Sequence, residues 1–376
     1  MEHKRVAIML YRLKFGGAER VMLTLAEAFA ERGLTVDLVA CEAEGEFLES
    51  VPDCVNVVNL DTLGTFKASR ELARYIDRDK PDSIIANGDR CTMAAYLARK
   101  KTRNKPRIFT VVHNDLIGPL SLASTKNRFF AKIKKIPMSY IYPKLDKVIA
   151  VSYGVADSIA KFLNYPREDI EVIYNPINIE DIREKAKEPA NHPWFDKKDL
   201  PIVISVGRLS PEKDFPTLIK AFALLRETTP ARLVIIGEGP ERPKLEKLID
   251  ELGIGEYAAL LGFQKNPYKF VARADLFAMS SIYEGLPTVL LETMSLGIPI
   301  VSTDCPSGPA ELLEEYPEKL TPVGDLHSLS NIICCELTND KNVVYDIESF
   351  SLLKVANAYM NNFSTTFSLC DNRNNP

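Results

Sequence analysis

Hydrophobic and polar positions along the chain fall into short β-branched runs that alternate with longer amphipathic stretches. The run Val6–Leu10 predicts a buried strand, and Ala18–Arg32 predicts a helix with Val21, Leu25 and Phe29 on one stripe. Further strands are predicted at Leu34–Cys41, Ser83–Ala86, Arg107–Val112, Lys147–Val151 and Glu171–Tyr174. Strands that alternate with helices in this way are typical of parallel α/β folds.

A second series with the same layout begins at the strand Pro201–Val206, which leads through a loop into the helix Phe215–Arg226. It continues with strands at Leu233–Ile236, Ala258–Leu261, Leu276–Met279 and Pro299–Thr303 and a helix at Thr288–Leu296. The polar segment Glu180–Leu200 separates the two series and is the expected boundary. We therefore predict α/β domains at residues 1–180 and 181–350, with a C-terminal helix at 351–361 that joins the first domain.

The length of 376 residues also favours two domains, since one hydrophobic core rarely serves so long a chain. No apolar run reaches the roughly 18 residues that a membrane-spanning helix needs. The first ten residues lack the pattern of a signal peptide. We therefore expect a cytoplasmic protein.

The net charge of −4 is unevenly distributed, because residues 99–147 contain thirteen Lys or Arg and only two acidic residues. Cations and apolar residues are interleaved in this basic block, at Lys126, Arg128, Phe129, Phe130, Lys132, Ile133, Lys134, Lys135, Ile136, Lys144 and Lys147. The pattern predicts an amphipathic basic surface that can lie on anionic lipid. A solvated helix face is the alternative. A nucleic-acid site is not indicated, because the total charge is acidic and no known binding module accompanies the block.

Two candidate groups follow strands of the first series. Gly16 and Gly17 follow the first strand, where backbone N–H groups of a glycine pair can approach a phosphate; a plain tight turn is the alternative. His113 and Asn114 end the strand Arg107–Val112. Because ligands bind at the carboxyl ends of strands in open α/β sheets, both groups are expected at the same edge.

The second series contains a cationic loop and a pair of carboxylates. Arg208 and Lys213 share the loop after Val206, and a guanidinium with an ammonium suits a diphosphate. Glu284 precedes the predicted helix and Glu292 lies inside it, so that the two carboxylates could hold sugar and ribose hydroxyls. The alternatives are a solvated loop, a helix cap at Glu284 and a surface position for Glu292.

Taken together, these segments resemble the retaining glycosyltransferases of family 4, which have the two-domain GT-B fold. The resemblance runs from Val6 to about Asp325. It rests on G-G-A-E (16–19), H-N (113–114), V-S-Y-G (151–154), Y-N-P-I (174–177), V-G-R-L-S-P-E-K (206–213), I-I-G-E-G-P (235–240) and S-x-Y-E-G-L-P (281–287). The spacing of Glu284 and Glu292 matches the E-x₇-E motif of the family, which is the most specific of these features. The fold implied is α/β, with two Rossmann-like domains whose parallel sheets face each other across a deep cleft.

The resemblance implies a UDP-sugar donor and a role for each candidate residue. Arg208 and Lys213 would bind the diphosphate, and the Gly16–Gly17 backbone would touch its distal phosphate. Glu284 would bind the transferred sugar together with backbone N–H groups at Gly285 and Leu286. The remaining donor contacts are expected from Pro287 and Thr288 beside that turn, from Glu292 at the ribose, from Lys265 and Asn266 around the nucleobase, and from His113 at the reaction centre.

Two departures from the family pattern affect the expected donor and acceptor. Residues 302–312 read S-T-D-C-P-S-G-P-A-E-L where many relatives have a Gly-Gly pair and then Glu. This form resembles bacterial surface-polysaccharide transferases that use UDP donors to transfer a hexose or N-acetylhexosamine. Because the family takes its acceptor in the N-terminal domain, the resemblance also implies that the basic block meets the pyrophosphate of a polyprenyl-linked saccharide acceptor at the cytoplasmic face of the inner membrane. Residues 315–320 also lack the usual glycine-rich run.

Three other kinds of protein were weighed against a transferase. A UDP-sugar epimerase and a non-catalytic nucleotide-sugar-binding protein on the same fold are the alternatives that stay open. A nicotinamide dehydrogenase is disfavoured, because the glycine pattern after Ile236 lacks its third glycine. The family uses no metal, and the D-x-D sequence Asp77–Asp79 lies at a predicted helix end away from the cleft, so neither a metal nor a cofactor is expected.

Overall fold

The computed structural model describes residues 4–13, 16–45, 48–122, 135–339 and 343–364. Within these residues, seven strands form one sheet: β1 (Arg5–Arg12), β2 (Thr35–Glu42), β3 (Asn56–Asn59), β4 (Ser83–Asn87), β5 (Arg107–Val112), β6 (Lys147–Ala150) and β7 (Ile170–Val172). They are ordered β3-β2-β1-β4-β5-β6-β7, and every neighbouring pair is parallel.

A second parallel sheet is built from the C-terminal half of the described chain. Its strands are β8 (Ile202–Val206), β9 (Arg232–Ile236), β10 (Ala258–Leu260), β11 (Leu276–Met279), β12 (Ile300–Thr303) and β13 (Leu320–Thr321). The order β10-β9-β8-β11-β12-β13 repeats that of the first six strands of the other sheet. In each sheet the order in which strands are added therefore reverses beside the first strand, at β1/β4 and at β8/β11. Open α/β sheets bind ligands at such switch points.

Helices cover both sheets and connect their strands. The N-terminal helices are α1 (Gly17–Glu31), α2 (Thr65–Asp79), α3 (Gly88–Lys101), α4 (Gly118–Leu122), α5 (residues 135–141), α6 (Tyr153–Leu163), α7 (Ile179–Ala186) and α8 (Pro193–Lys197). The later helices are α9 (Phe215–Arg226), α10 (Arg242–Glu251), α11 (Tyr268–Val271), α12 (Thr288–Ser295), α13 (Pro309–Leu312), α14 (Leu326–Thr338) and α15 (Leu352–Ser364).

Most predicted elements are present within one or two residues of their predicted bounds. The strands β3 and β13 were not predicted, because β3 is short and mostly exposed and β13 has only two residues. The polar segment Glu180–Leu200 contains α7 and α8 rather than a plain linker.

The C-terminal helix α15 packs on the first sheet and its helix α1. The Phe363 ring lies 5.5 Å from that of Phe29 on α1 and 5.7 Å from that of Phe109 on β5, centroid to centroid. Asn362 donates to Glu171 Oε1 at 2.8 Å, and its carbonyl accepts from Arg107. The chain thus crosses from the first sheet to the second and returns to the first.

No helix in the described ranges combines the length and the apolar character needed to cross a lipid bilayer. Of the basic block, Lys126, Arg128, Phe129, Phe130, Lys132, Ile133 and Lys134 lie outside the described residues, as does the tail 365–376.

The loop after β8 is held in place by close backbone packing against the loop after β9. Gly237 has a φ of +149°, and a Cβ atom at this position would lie 1.8 Å from the carbonyl oxygen of Gly207. The amide of Leu209 donates to the Glu238 carbonyl at 2.9 Å. The glycines of I-I-G-E-G-P therefore shape the neighbouring loop, which carries Arg208 and Lys213.

Replacing Gly237 by Ala should displace this loop, because the new methyl group overlaps backbone rather than a flexible side chain. We expect the free energy of unfolding to fall by more than about 3 kcal/mol. Gly253→Ala is the matched control, since Gly253 also has positive φ (+66°) but no described atom lies within 4 Å of its added Cβ. The control should lose only about 1–2 kcal/mol. Equal losses in urea unfolding of the two variants would contradict the packing described here.

Candidate donor site between the two domains

The candidate residues lie on loops at the carboxyl edges of the two sheets. Gly16 and Gly17 join β1 to α1, and the loop 207–214 joins β8 to α9. The segment Ser280–Pro287 follows β11, which is the other strand at the switch point of the second sheet. The strand order thus brings the cationic loop and Glu284 together at one crevice.

Lys213 and Glu284 form an ion pair at this crevice. Lys213 Nζ lies 2.6 Å from Glu284 Oε1, and Ser281 Oγ donates to the same oxygen at 2.6 Å. The side chains of Lys213 and Glu284 are 21% and 12% exposed. Charges this far from water depend on each other, because removing one would leave the other poorly solvated.

Backbone contacts fix the Lys213 loop against the segment after β11. Ser280 Oγ donates to the carbonyl of Lys213 at 2.8 Å, and the amide of Ile282 donates to the carbonyl of Glu212 at 2.8 Å. Arg208 is exposed on the same loop, and its side chain has no hydrogen-bond or ion-pair partner among the described residues. The structure therefore pairs Lys213 with Glu284 and leaves the Arg208 guanidinium without a contact to either.

Glu284 does not cap the helix that follows it. The residue at the N-cap of α12 is Pro287, so the helix begins at Thr288, as the sequence predicted. The amide of Glu284 donates to the carbonyl of Pro306 at 3.1 Å, while its carboxylate turns to Lys213 and Ser281. The capping alternative is therefore wrong.

Gly285 is the point at which the backbones of the two domains meet. It forms an antiparallel bridge with Asn114, directly after β5. A Cβ atom at Gly285 would lie 1.7 Å from the carbonyl oxygen of His113, so only glycine allows this approach. The contact places His113 beside the turn that carries Glu284.

Two further N-terminal residues bind the same turn by side chain. Ser152 Oγ donates to the carbonyl of Gly285 at 3.0 Å and also accepts from the amide of Val155 at the start of α6. Asn175 Nδ2 lies 3.4 Å from the carbonyl oxygen of Leu286. Ser152 and Asn175 belong to the V-S-Y-G and Y-N-P-I motifs, to which sequence analysis had given no role.

His113 is held in a dry environment. Its two ring nitrogens are buried and, among the described residues, have no hydrogen-bond partner; the same holds for Asn175 Oδ1. Burial lowers the pKa of His113 to about 4, against a smaller opposing effect of the Asn175 side chain. The imidazole is therefore neutral near pH 7.

Glu292 lies inside α12 and contacts the N-terminal domain through Arg20. Its side chain is only 14% exposed, so the surface position considered above is wrong. Glu292 Oε1 lies 3.6 Å from Arg20 Nη1 and accepts from the Tyr268 hydroxyl at 3.1 Å. Burial raises the pKa of Glu292, and Arg20 and Tyr268 oppose that rise.

The remaining predicted donor residues lie at the start of α1 and in the loop before α11. At the α1 N-terminus, a Cβ on Gly16 would lie 2.2 Å from Glu19 Oε2, whereas no described atom lies within 4 Å of a Cβ on Gly17. Gly17 is thus the more accessible of the pair.

Asn266 donates to the Lys185 carbonyl at 2.8 Å and accepts from the Tyr268 amide at 3.1 Å, next to the exposed Lys265.

Sequence analysis missed Arg20 and Tyr268 as members of the site. Arg20 directly follows G-G-A-E, and Tyr268 lies two residues after Asn266. Their position beside quoted motifs is a weak signal. The contact itself joins positions 248 residues apart and leaves no local pattern.

Family models match both halves of the chain. A model described as Glycosyltransferase Family 4 matches residues 15–181, and one described as Glycosyl transferases group 1 matches residues 186–333. The first match contains strands β2 to β7, and the second contains strands β8 to β13.

Individual relatives match across both domains. The N-acetylgalactosamine-N,N'-diacetylbacillosaminyl-diphospho-undecaprenol 4-alpha-N-acetylgalactosaminyltransferase of Campylobacter jejuni is 32% identical over 320 residues, which cover 82% of this chain and 83% of that protein. The lipopolysaccharide core biosynthesis glycosyltransferase LpsE of Rhizobium meliloti is 29% identical over 77% of this chain and 76% of its own.

A solved structure shares the whole fold. The Anabaena protein Alr3699/HepE, in a crystal structure with UDP-glucose, superposes with a TM-score of 0.77 at 20% identity, covering 96% of this chain and all of that one. The GT-B architecture is thereby confirmed. Together with the relatives and the family models, it shows that this chain belongs to the family 4-like glycosyltransferases of bacterial polysaccharide and glycan synthesis.

Proposed function

We propose that this glycosyltransferase moves a hexose or N-acetylhexosamine from a UDP-sugar to a lipid-linked saccharide, with retention of the anomeric configuration. The observation that carries the proposal is the Lys213–Glu284 pair, held where the backbone of the N-terminal domain touches Gly285. The pair sets an ammonium and a carboxylate beside the turn whose Gly285 touches the backbone of His113.

The chemistry of sugar transfer explains why these groups belong together. As the bond from sugar to diphosphate breaks, negative charge grows on the leaving phosphate, and fixed cations stabilise it. Lys213 would bind that phosphate together with Arg208, whose guanidinium suits the diphosphate geometry. Glu284, released from Lys213, would then accept hydrogen bonds from the sugar hydroxyls. Since these cations supply the positive charge, the proposal includes no metal and no cofactor.

The other donor residues have complementary roles in the proposal. Backbone N–H groups at Gly17, Gly285 and Leu286 would bind phosphate and sugar oxygens, and Glu292 would hold the ribose. His113 would meet the sugar as a neutral imidazole, as a hydrogen-bonding group rather than as an acid.

Similar proteins support the choice of donor and acceptor. UDP-glucose is bound in the structure of Alr3699/HepE, and the name of the Campylobacter enzyme specifies a saccharide on diphospho-undecaprenol as acceptor. The C-P-S-G-P sequence after Asp304 also favours a UDP donor. We infer a diphospholipid-linked saccharide as the acceptor class.

Contact with anionic membrane lipid is part of the same proposal. In the described part of the basic block, Ile136 and Tyr140 are 72% and 59% exposed and lie one turn apart on α5. The Lys144 ammonium lies 2.6 Å from the centroid of the Tyr140 ring. Exposed apolar groups flanked by Lys135 and Lys144 suit a lipid interface, where the Ile136 and Tyr140 side chains would enter the headgroup region and the two ammonium groups would meet phosphate.

Lys213→Ala tests the donor role. We expect weaker UDP binding in calorimetry and at least a roughly 100-fold loss of UDP release with a panel of UDP-sugars and a diphospholipid-linked acceptor, which is about 3 kcal/mol in the barrier. Lys220→Ala, an equal charge change at an exposed position of α9, is the control and should behave like the parent. Unchanged turnover in Lys213→Ala would contradict the proposal. UDP binding without any transfer from any donor would favour a non-catalytic binding protein.

The state of His113 predicts how stability depends on pH. With its pKa lowered from 6.5 to about 4, the folded protein stays unprotonated at His113 over a range where the unfolded chain takes up a proton. The contribution of this pKa difference to the free energy of unfolding is complete at pH 6.5 and above. It is lost as the pH falls from 6.5 towards 4, by at most about 3 kcal/mol. In denaturation series over this range, His113→Asn should weaken the pH dependence and the exposed His327→Asn should not. The same slope in both variants would show that His113 is not buried in its neutral form.

The membrane proposal predicts that replacing Lys132, Lys134 and Lys135 by Glu reduces sedimentation with anionic vesicles. Zwitterionic vesicles should retain little of any variant, because the attraction is electrostatic. Replacing the exposed Lys220, Lys244 and Lys247 of the C-terminal domain by Glu makes the same charge change elsewhere. If the parent does not sediment, or if both triple variants lose binding equally, the basic block is not the membrane contact.

A further inference from the structure

Arg20 connects the two domains on the nucleotide side of the crevice. It lies in the first turn of α1, four residues after Gly16, and its guanidinium hydrogen-bonds the hydroxyl of Tyr268 on α11. The same guanidinium pairs with Glu292 Oε1 at 3.6 Å, and the Tyr268 hydroxyl donates to that oxygen at 3.1 Å. Arg20, Tyr268 and Glu292 therefore form a closed three-membered network across the domain boundary.

Glu292 needs a cation in this place. A carboxylate with 14% exposure is poorly hydrated, and burial alone favours its protonated form. Arg20 is the strongest of the groups that oppose this effect, ahead of Tyr268 and the more distant Lys185. A protonated carboxyl group would accept fewer hydrogen bonds from a diol than a carboxylate does.

The network uses only one side of the carboxylate. Both contacts are made to Oε1, and among the described residues no hydrogen bond is made to Oε2. Tyr268 is itself fixed, since its ring is buried and its amide donates to Asn266 Oδ1 at 3.1 Å. Arg20 and Tyr268 therefore hold Oε1 from two sides and leave Oε2 available to a ligand.

We propose that Arg20 is a positioning residue for the ribose of the donor, acting through Glu292. The proposal rests on the function proposed above, in which Glu292 binds the ribose. Because Arg20 belongs to the N-terminal domain and Glu292 to the C-terminal domain, Arg20 can hold the carboxylate in this orientation only when the two domains are in contact. Closure of the domains and recognition of the nucleoside are thereby coupled through one side chain.

The experiment compares calorimetric binding of UDP and of 2′,3′-dideoxy-UDP, which lacks both ribose hydroxyls. The parent should prefer UDP by about tenfold or more, because a buried carboxylate loses its hydrogen bonds with the dideoxy compound. Arg20→Ala and Glu292→Gln should each bring the two affinities within about threefold of each other. The double variant should lose no more than either single variant. Arg74→Ala, an equal charge change in an exposed pair on α2, should keep the full preference.

Arg20→Lys separates position from charge, because an ammonium keeps the charge but lacks the fork that reaches both Tyr268 and Glu292. It should restore part of the preference, and Arg20→Ala should raise KM for the UDP-sugar more than it lowers kcat. Arg20 is 44% exposed, so both variants should fold, and their thermal midpoints check this. If Arg20→Ala does not fold, Arg20→Lys and Tyr268→Phe carry the same test, each with a reduced preference.

Each result identifies which idea fails. Full preference for UDP in Glu292→Gln would overturn the ribose role of Glu292 and with it this part of the proposed function. Lost preference in Glu292→Gln with full preference in Arg20→Ala would leave the ribose role standing and overturn the positioning role of Arg20. Equal loss of affinity for both nucleotides in Arg20→Ala would also overturn it, because the effect would then not concern the ribose.

Discussion

The ion pair between Lys213 and Glu284 is the interaction on which the site depends. The two charges lie 2.6 Å apart with little exposure to water, so each is stable in this position because the other is there. In the proposed function, a pyrophosphate entering the crevice would offer Lys213 a stronger anionic partner, and a sugar would offer Glu284 its hydroxyls. The pair would then keep the site charged and ordered before the donor arrives, and it would be exchanged for donor contacts without leaving either group unpaired.

The fold makes this exchange depend on both domains. Two sheets with the same strand order each present a loop at their switch point, one with Gly16–Gly17 and one with Lys213. The turn that carries Glu284 is held by the other domain, through the backbone of His113–Asn114 and the hydroxyl of Ser152. The turn at Gly285 is therefore positioned by contacts from both domains.

Sequence patterns predicted the helices, the strands and the charged residues of the candidate site better than the residues that those charged side chains contact. The helix Phe215–Arg226 was predicted with its observed bounds, since its apolar residues recur at helical spacing after the polar loop. The edge strand Asn56–Asn59 was missed because its exposed residues carry no buried pattern. The position of Glu292 inside a helix followed from the sequence, but its contact with Arg20 depends on how the two domains meet, which no local spacing encodes.

A crystal structure of the protein with bound UDP tests the central claim most directly. The account predicts the diphosphate at the crevice, with Lys213 Nζ moved from Glu284 Oε1 to a phosphate oxygen and the Glu284 carboxylate left facing the empty sugar position. It would be contradicted by UDP bound in the crevice while Lys213 and Glu284 remain paired out of reach of the phosphates, or by UDP bound outside the crevice.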